Sequence, residues 1–189
     1  MRATPWSRRR NFRNPLGTLA TLAAIAVVAV IAGLLWPPPA TLSGRASAVD
    51  GDTLRIGETR IRLLGFDAVE HDQTCRNDAG EAWDCGREAR SFLAGLVKGE
   101  TTSCAADGRD RYRRVLARCA VARSDLGEQM VRAGWAVAEL EYGLALADAR
   151  LNRRGIWSGT FDDPADWRRT HGTDTFDFWT WLTGLLGRW

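Results

Sequence analysis

Histidine is scarce in this chain of 189 residues: only His71 and His171 occur, and neither lies between two cysteines. None of the four cysteines stands in CxxC spacing, so a zinc site is the lesser reading of them. No serine or cysteine comes with a partnered base, which argues against a covalent nucleophile. No unit repeats, which excludes a solenoid or a propeller, and the one low-complexity run is Pro37 to Pro39. Acid is missing from residues 1 to 40, which hold five arginines: Arg2, Arg8, Arg9, Arg10 and Arg13. The 26 basic residues less those five leave 21, against 23 acidic, so the remainder is net −2 although the whole chain is +3. The pI of about 8.9 therefore reports a basic tail and not a nucleic-acid-binding face.

Charge is absent from residues 16 to 36, LGTLATLAAIAVVAVIAGLLW. As a helix this run would be ~31 Å long at 1.5 Å per residue, against a bilayer core of ~30 Å. Arginines before it and none close behind place the N-terminus in the cytoplasm and the rest of the chain outside it. A cleavable signal peptide is the competing reading. Against it, the run is longer than a usual signal core, and the A-x-A match at Ala46 to Ala48 falls inside the first predicted strand. An uncleaved anchor in the cytoplasmic membrane, with the folded part periplasmic or extracellular, is the expectation. The chain then divides into a basic tail (1–15), an anchor (16–36), a stiff Pro-rich linker (37–42), a folded domain (43–160) and a Trp-rich segment (161–189).

An even number of cysteines in a segment outside the cell favours two disulfides. Cys75 and Cys85 bracket one loop, while Cys104 and Cys119 fall in adjacent predicted strands. Local pairing is the economical choice, with connectivity left open by spacing alone.

Within the domain, TLSGRASAV, DTLRIG and TRIRLLGF read as three strands between Leu42 and Phe66, with turns at Asp50-Gly51 and Gly57-Glu58. Val49, Leu54, Ile56, Ile61 and Leu63 alternate as a core-facing set. GREARSFLAGLV places Ala89, Phe92, Leu93, Leu96 and Val97 at helical spacing, closed by Gly99. Two strands follow, at about 100–105 and 112–121, joined by a turn at DGRD. SDLGEQMVRAGWA reads as a helix with Asp125 and Glu128 at capping-box spacing and Gly134 near its end. LALADARLNRRGIW reads as a third helix ending at Gly155. This element order is that of an α+β, OB-type five-stranded β-barrel with about three helices, preceded by one transmembrane helix. In the tail, Phe178, Trp181, Leu182, Leu185, Leu186 and Trp189 share one helical stripe. Such a stripe over 176–189 suits the bilayer interface, and equally suits packing on the domain's own surface.

Asp52, Asp67 and Glu70 crowd around Arg62 in a short β-like stretch, and each alone is a common turn, loop or strand-surface residue. Together with Arg114 they form a set. VDGDT, RLLGFDAVE and DRYRRVLA resemble the staphylococcal-type thermonuclease family, and the likeness continues through GREARSF, MVRAGWA and GIW, over about residues 43 to 158. That family comprises calcium-dependent phosphodiesterases on an OB-fold. The resemblance implies Ca2+ held by Asp52, Asp67 and the carbonyl of Ala68. It further implies Glu70 as general base, and Arg62 and Arg114 on the scissile phosphate. Arg111, Tyr112 and Tyr142 correspond to substrate-contacting positions. It also implies P–O5′ cleavage leaving a 3′-phosphate and a nucleic-acid substrate (DNA or RNA); no protein partner is inferred from the sequence, and a monomer is the expectation.

The chemistry accounts for these residue types. A phosphodiester repels an approaching hydroxide, and its transition state gains further negative charge. A hard cation on two carboxylates keeps open positions, and guanidinium forks match phosphate oxygens without losing their protons. Arg109, Arg111, Arg113, Arg114 and Arg118 make the domain's main basic patch, with Tyr112 as a stacking surface. The plainer reading of Arg109, Arg111 and Arg113 is a solvated edge that discourages strand pairing. Two positions depart from the family: Val69 replaces a usual proline and Arg113 a usual glycine. If Arg113 needs positive φ, its side chain costs ~1 kcal/mol or re-aims Arg114. His71 and His171 read as loop residues. A rival expectation is a non-catalytic envelope module that binds a polyanion or assists exopolysaccharide assembly, which would have no need of a water-activating Glu70.

Overall fold

The structure, a computed structural model, describes residues 15–35, 40–138 and 140–171. It divides into two units, Met1–Pro38 and Pro39–Trp189. In the first, α1 (Pro15–Leu35) is a continuous helix without a charged residue, opened by a proline at its first position, where the missing N–H costs nothing. Among the described residues no helix is long and apolar enough to cross a membrane, so the span read for 16–36 is not established by the structure. The basic tail up to residue 14, the proline run and the aromatic stripe over 176–189 lie outside the described residues.

The second unit is built on β1 (Thr41–Ala48), β2 (Thr53–Ile56) and β3 (Thr59–Leu63). After β4 (Phe66–Ala68), β5 (Cys75–Arg76), β6 (Ala82–Trp83) and α2 (Cys85–Val97) come β7 (Thr101–Arg109) and β8 (Val115–Val121). The chain continues through β9 (Ser124–Asp125), α3 (Leu126–Arg132), β10 (Ala136–Ala138), α4 (Gly143–Leu151) and α5 (Pro164–His171). Strands β1, β2, β3, β7 and β8 close on themselves, because β3 runs parallel to β8 with Ile61 opposite Val115 and Leu63 opposite Ala117. A five-stranded closed barrel with helices is thus the architecture, as the element order implied.

Alternation fills the barrel. Leu54, Ile61, Leu63, Val115 and Ala117 point inward and are fully or almost fully buried; each larger one contributes about 1.5–3 kcal/mol by leaving water. Ala89, Leu93 and Val97, four residues apart on α2, cover one side of that core. The cysteines pair locally, Cys75 with Cys85 and Cys104 with Cys119. Cys104 and Cys119 face each other across the β7–β8 ladder. Closing a loop of that length removes about 3 kcal/mol of unfolded-chain entropy.

Several boundaries differ from the sequence reading. Strand β1 begins at Thr41, within the stretch read as linker, because Thr41 and Leu42 pair with Ala105 and Cys104 of β7. The turn expected at DGRD lies three residues later. Strand β7 runs through Arg109, and the chain reverses over Asp110 to Arg113 because the Asp110 carboxylate accepts the N–H groups of Tyr112 and Arg114. The Asp125 carboxylate caps α3 by accepting from Glu128 N at 2.8 Å. Helix α4 stops at Leu151, four residues before Gly155, because Gly134 and Gly155 cross: Ile156 N donates to Gly134 O at 2.9 Å, and no side chain fits between the two strands of chain. Among the described residues the stretch 43–160 holds the three α-helices expected, α2, α3 and α4, and α5 follows in the segment beyond it. His171 ends α5, where it stacks on Trp167, instead of lying in a loop.

Candidate active site

Three short stretches are brought together by the barrel's register. Thr53 stands opposite Arg62 in the β2–β3 ladder, and Leu63 N donates to Asp52 O at 2.8 Å, which sets Asp52 beside the Arg62 side chain. Gly65, at φ +87, reverses the chain so that Asp67, on β4, lies near Arg62. Gly51 packs directly on Ala68: a Cβ there would stand 2.8 Å from that of Ala68. The Asp-Gly-Asp turn is therefore a close approach between two functional stretches.

Arg62 bridges the two acids. Its Nη1 is 2.6 Å from Asp52 Oδ2 and its Nη2 donates to Asp67 Oδ1 at 2.9 Å. Thr53 Oγ1 donates to Asp52 Oδ1 at 2.7 Å and accepts from Arg114 Nη1 at 3.4 Å, which ties the second arginine to the same cluster. Arg114 is aimed by Asp110, whose Oδ2 accepts from its Nε at 2.7 Å. Burial would raise the Asp110 carboxyl, but the bonds from Arg114 and from the Tyr112 N–H outweigh it and hold the group below its usual range. Arg113 does adopt φ +66. The turn keeps Arg114 on the cluster in spite of that left-handed side chain.

Glu70 is held by its loop. Gln73, fully buried, accepts from Glu70 N at 3.0 Å through Oε1 and returns its own N–H to Glu70 O at 2.9 Å. Gly86, at the start of α2, leaves room for this backbone, since a Cβ there would fall 1.8 Å from Glu70 O. The buried Val69 donates its N–H to Trp135 O at 3.4 Å, a bond that proline could not make. Burial raises the Glu70 carboxyl above its ordinary value, with Arg168 opposing. Burial raises Asp50 as well, and the neighbouring Asp52 adds to it.

Arg168 was not among the sequence-derived residues. From α5 its Nη1 donates to Asp67 Oδ1 at 2.9 Å and to Glu70 Oε1 at 2.5 Å, and its Nη2 donates to Asp67 Oδ2 at 2.6 Å. The segment leading to α5 is stitched to the Glu70 loop. Arg76 and Thr160 exchange both backbone bonds at 2.9 Å, Gln73 Nε2 donates to Asp162 O at 2.6 Å, and Trp167 Nε1 reaches Asp72 Oδ1 at 3.4 Å. Residues 161–171, assigned in sequence to the Trp-rich segment beyond the domain, thus pack on the site. A signal was there: Asp163-Pro164 is a cap followed by a first-position proline, and Asp163 Oδ1 accepts from Ala165 N at 2.9 Å.

Arg111 and Tyr112 lie on the exposed turn next to Arg114, whose guanidinium carbon is 5.6 Å from the tyrosine ring centre, against 4.7 Å for Arg111. Tyr142 is placed differently. It is buried, its hydroxyl donates to Asp125 Oδ1 at 3.0 Å, and its ring meets Phe66 edge-on at 6.3 Å. Burial, with Asp125 nearby, pushes its hydroxyl pKa up.

Asp52 and Asp67 converge on a single cation, the Arg62 guanidinium, so their oxygens already lie within reach of one positive centre. Among the described residues no three acidic, imidazole or thiol side chains gather to hold a metal ion. The oxygens brought together are those of two carboxylates, hard donors of the kind that a calcium ion keeping several waters takes.

A family model described as "Staphylococcal nuclease homologue" matches residues 60–159. Asp52 lies before that match and Arg168 after it. The chain is 36% identical over 121 residues to the succinoglycan biosynthesis protein ExoI of Rhizobium meliloti (strain 1021), covering 60% of this chain and 63% of ExoI. It is 28% identical over 149 residues to an uncharacterized endonuclease of Haemophilus influenzae, covering 72% and 78%. To endonuclease YhcR of Bacillus subtilis it is 28% identical over 131 residues, covering 58% of this chain and 11% of that protein. The chain therefore spans less than two thirds of ExoI and a small part of YhcR.

Proposed function

From the premise that the chain belongs to the staphylococcal nuclease homologue family, we propose that it is a calcium-dependent nuclease hydrolysing phosphodiester bonds of DNA or RNA. The observation that carries this reading is the convergence of Asp52 and Asp67 on Arg62, with Arg114 joined through Thr53 and Glu70 joined to Asp67 through Arg168. Relatives named endonucleases support it.

Asp52, Asp67 and the Ala68 carbonyl would hold the ion, which when bound supplies Lewis-acid charge to a phosphate oxygen. Arg62 and Arg114 donate to the phosphate oxygens, where their paired N–H groups match the growing negative charge. Glu70 takes the proton of the attacking water, and its burial makes it a stronger base than a solvated glutamate. Tyr112 and Arg111 offer an exposed ring and a cation to a neighbouring nucleotide. In the structure Arg62 lies on the acids, so it would have to turn from them to donate to a phosphate oxygen once they held an ion.

The test is degradation of single-stranded DNA by the full chain in detergent, with calcium and then with EGTA. Cleavage should require calcium, and Glu70→Gln should lower turnover by roughly 10²- to 10⁴-fold while leaving nucleotide binding intact. A folded, oxidised, calcium-replete protein without activity would favour the second reading, a non-catalytic module assisting exopolysaccharide assembly, for which the likeness to ExoI speaks.

The domain is anchored in the cytoplasmic membrane by the uncharged run 16–36, faces away from the cytoplasm and acts as a monomer. Support for the anchor comes from the uncharged helix, whose Leu19, Leu22, Ile25 and Val28 are all exposed. The two disulfides support an oxidising compartment.

A further inference from the structure

We propose that Arg168 is a built-in counter-cation that competes with the divalent metal ion for Asp67 and at the same time covers Glu70, so that α5 caps the site until the ion displaces it. The inference rests on the reading of Asp67 as a metal ligand and Glu70 as the base.

A carboxylate offers about four acceptor positions. On Asp67, Arg62 takes one, and Arg168 takes two more, one on each oxygen. The same guanidinium holds Glu70 Oε1. One side chain therefore covers both the ligand and the base, in the form of a cation. A divalent ion arriving at Asp67 meets a positive charge already on both of its oxygens, and the two cannot share those lone pairs without repulsion. Freeing Glu70 to accept a proton from water needs the same departure.

The way α5 is held makes that departure feasible. The Arg168 side chain is 40% exposed, against 23% for Arg62, so water can receive it. The helix has only eight residues. Its other anchoring lies before it, at Arg76–Thr160 and Gln73–Asp162, and within it at the buried Pro164 and at Trp167, whose Nε1 reaches Asp72 Oδ1 at 3.4 Å; none of these contacts involves the guanidinium. Arg169, the next residue, pairs only locally with Asp166 among the described contacts and supplies an internal control.

The experiment is calorimetric titration of calcium chloride into the full chain in detergent, for wild type, Arg168→Gln and Arg169→Gln. Arg168→Gln should bind calcium about tenfold more tightly, and Arg169→Gln should match wild type. Equal or weaker binding by Arg168→Gln would overturn the inference while leaving the calcium reading in place. No calcium binding by any of the three would overturn both. A second readout needs no variant: in wild type, added calcium should speed hydrogen exchange of residues 164–171. Unchanged or slower exchange there would contradict displacement. A merely structural Arg168 predicts the reverse on both counts.

Discussion

Asp67 is gripped from two sides, and the two sides are held in different ways. Arg62 belongs to β3, which has a ladder on each edge, to β2 and to β8, so its backbone moves only if the barrel opens. Arg168 belongs to an eight-residue helix beyond the barrel, tied back by a few polar contacts and one buried proline. Both arginines make short ion pairs, yet exposed pairs contribute little on their own. The permanence of each is set by the backbone beneath it. The barrel supplies a fixed frame, and the segment after residue 159 supplies a hook laid over it.

Changing the frame should have the largest effect. Gly86→Ala puts a Cβ 1.8 Å from Glu70 O, so it should destabilise the domain by about 3 kcal/mol in urea unfolding and cut the proposed nuclease activity with it. A domain of unchanged stability would show the Glu70 loop to be looser than described.

A cut at the joint between frame and hook should be next. Gln73→Ala removes the partner of Glu70 N and of Asp162 O together, which should cost about 2 kcal/mol. It should also speed hydrogen exchange over residues 159–171 more than over the barrel strands. Equal acceleration everywhere would erase the distinction between the two regions. The smallest effect should come from Arg113→Gly, which removes the left-handed strain at φ +66 and should stabilise the fold by about 1 kcal/mol without moving Arg114.

The barrel was legible because alternation is written into Leu54, Ile61 and Leu63, and local cysteine spacing led to the pairs the structure forms. That Asp52, Asp67, Glu70 and Arg62 lie together was legible from motif resemblance, since their spacing follows from a β-hairpin and one tight turn. What escaped was decided by single side chains acting across the chain. Asp110 moves a turn by three residues through its carboxylate, which no composition rule foresees. The Gly134–Gly155 crossing ends α4 early because two distant segments meet there. Arg168 lay beyond the motifs, in a helix too short for periodicity to announce, with the Asp163-Pro164 start as its one sequence mark.

The most direct test of a shared metal-and-phosphate centre is a crystal structure of the full chain grown with calcium. The account predicts one ion bound to oxygens of both Asp52 and Asp67 at about 2.3–2.6 Å, with Arg62 swung off the two acids. Saturating calcium with no ion there, and Arg62 still bridging both carboxylates, would contradict it.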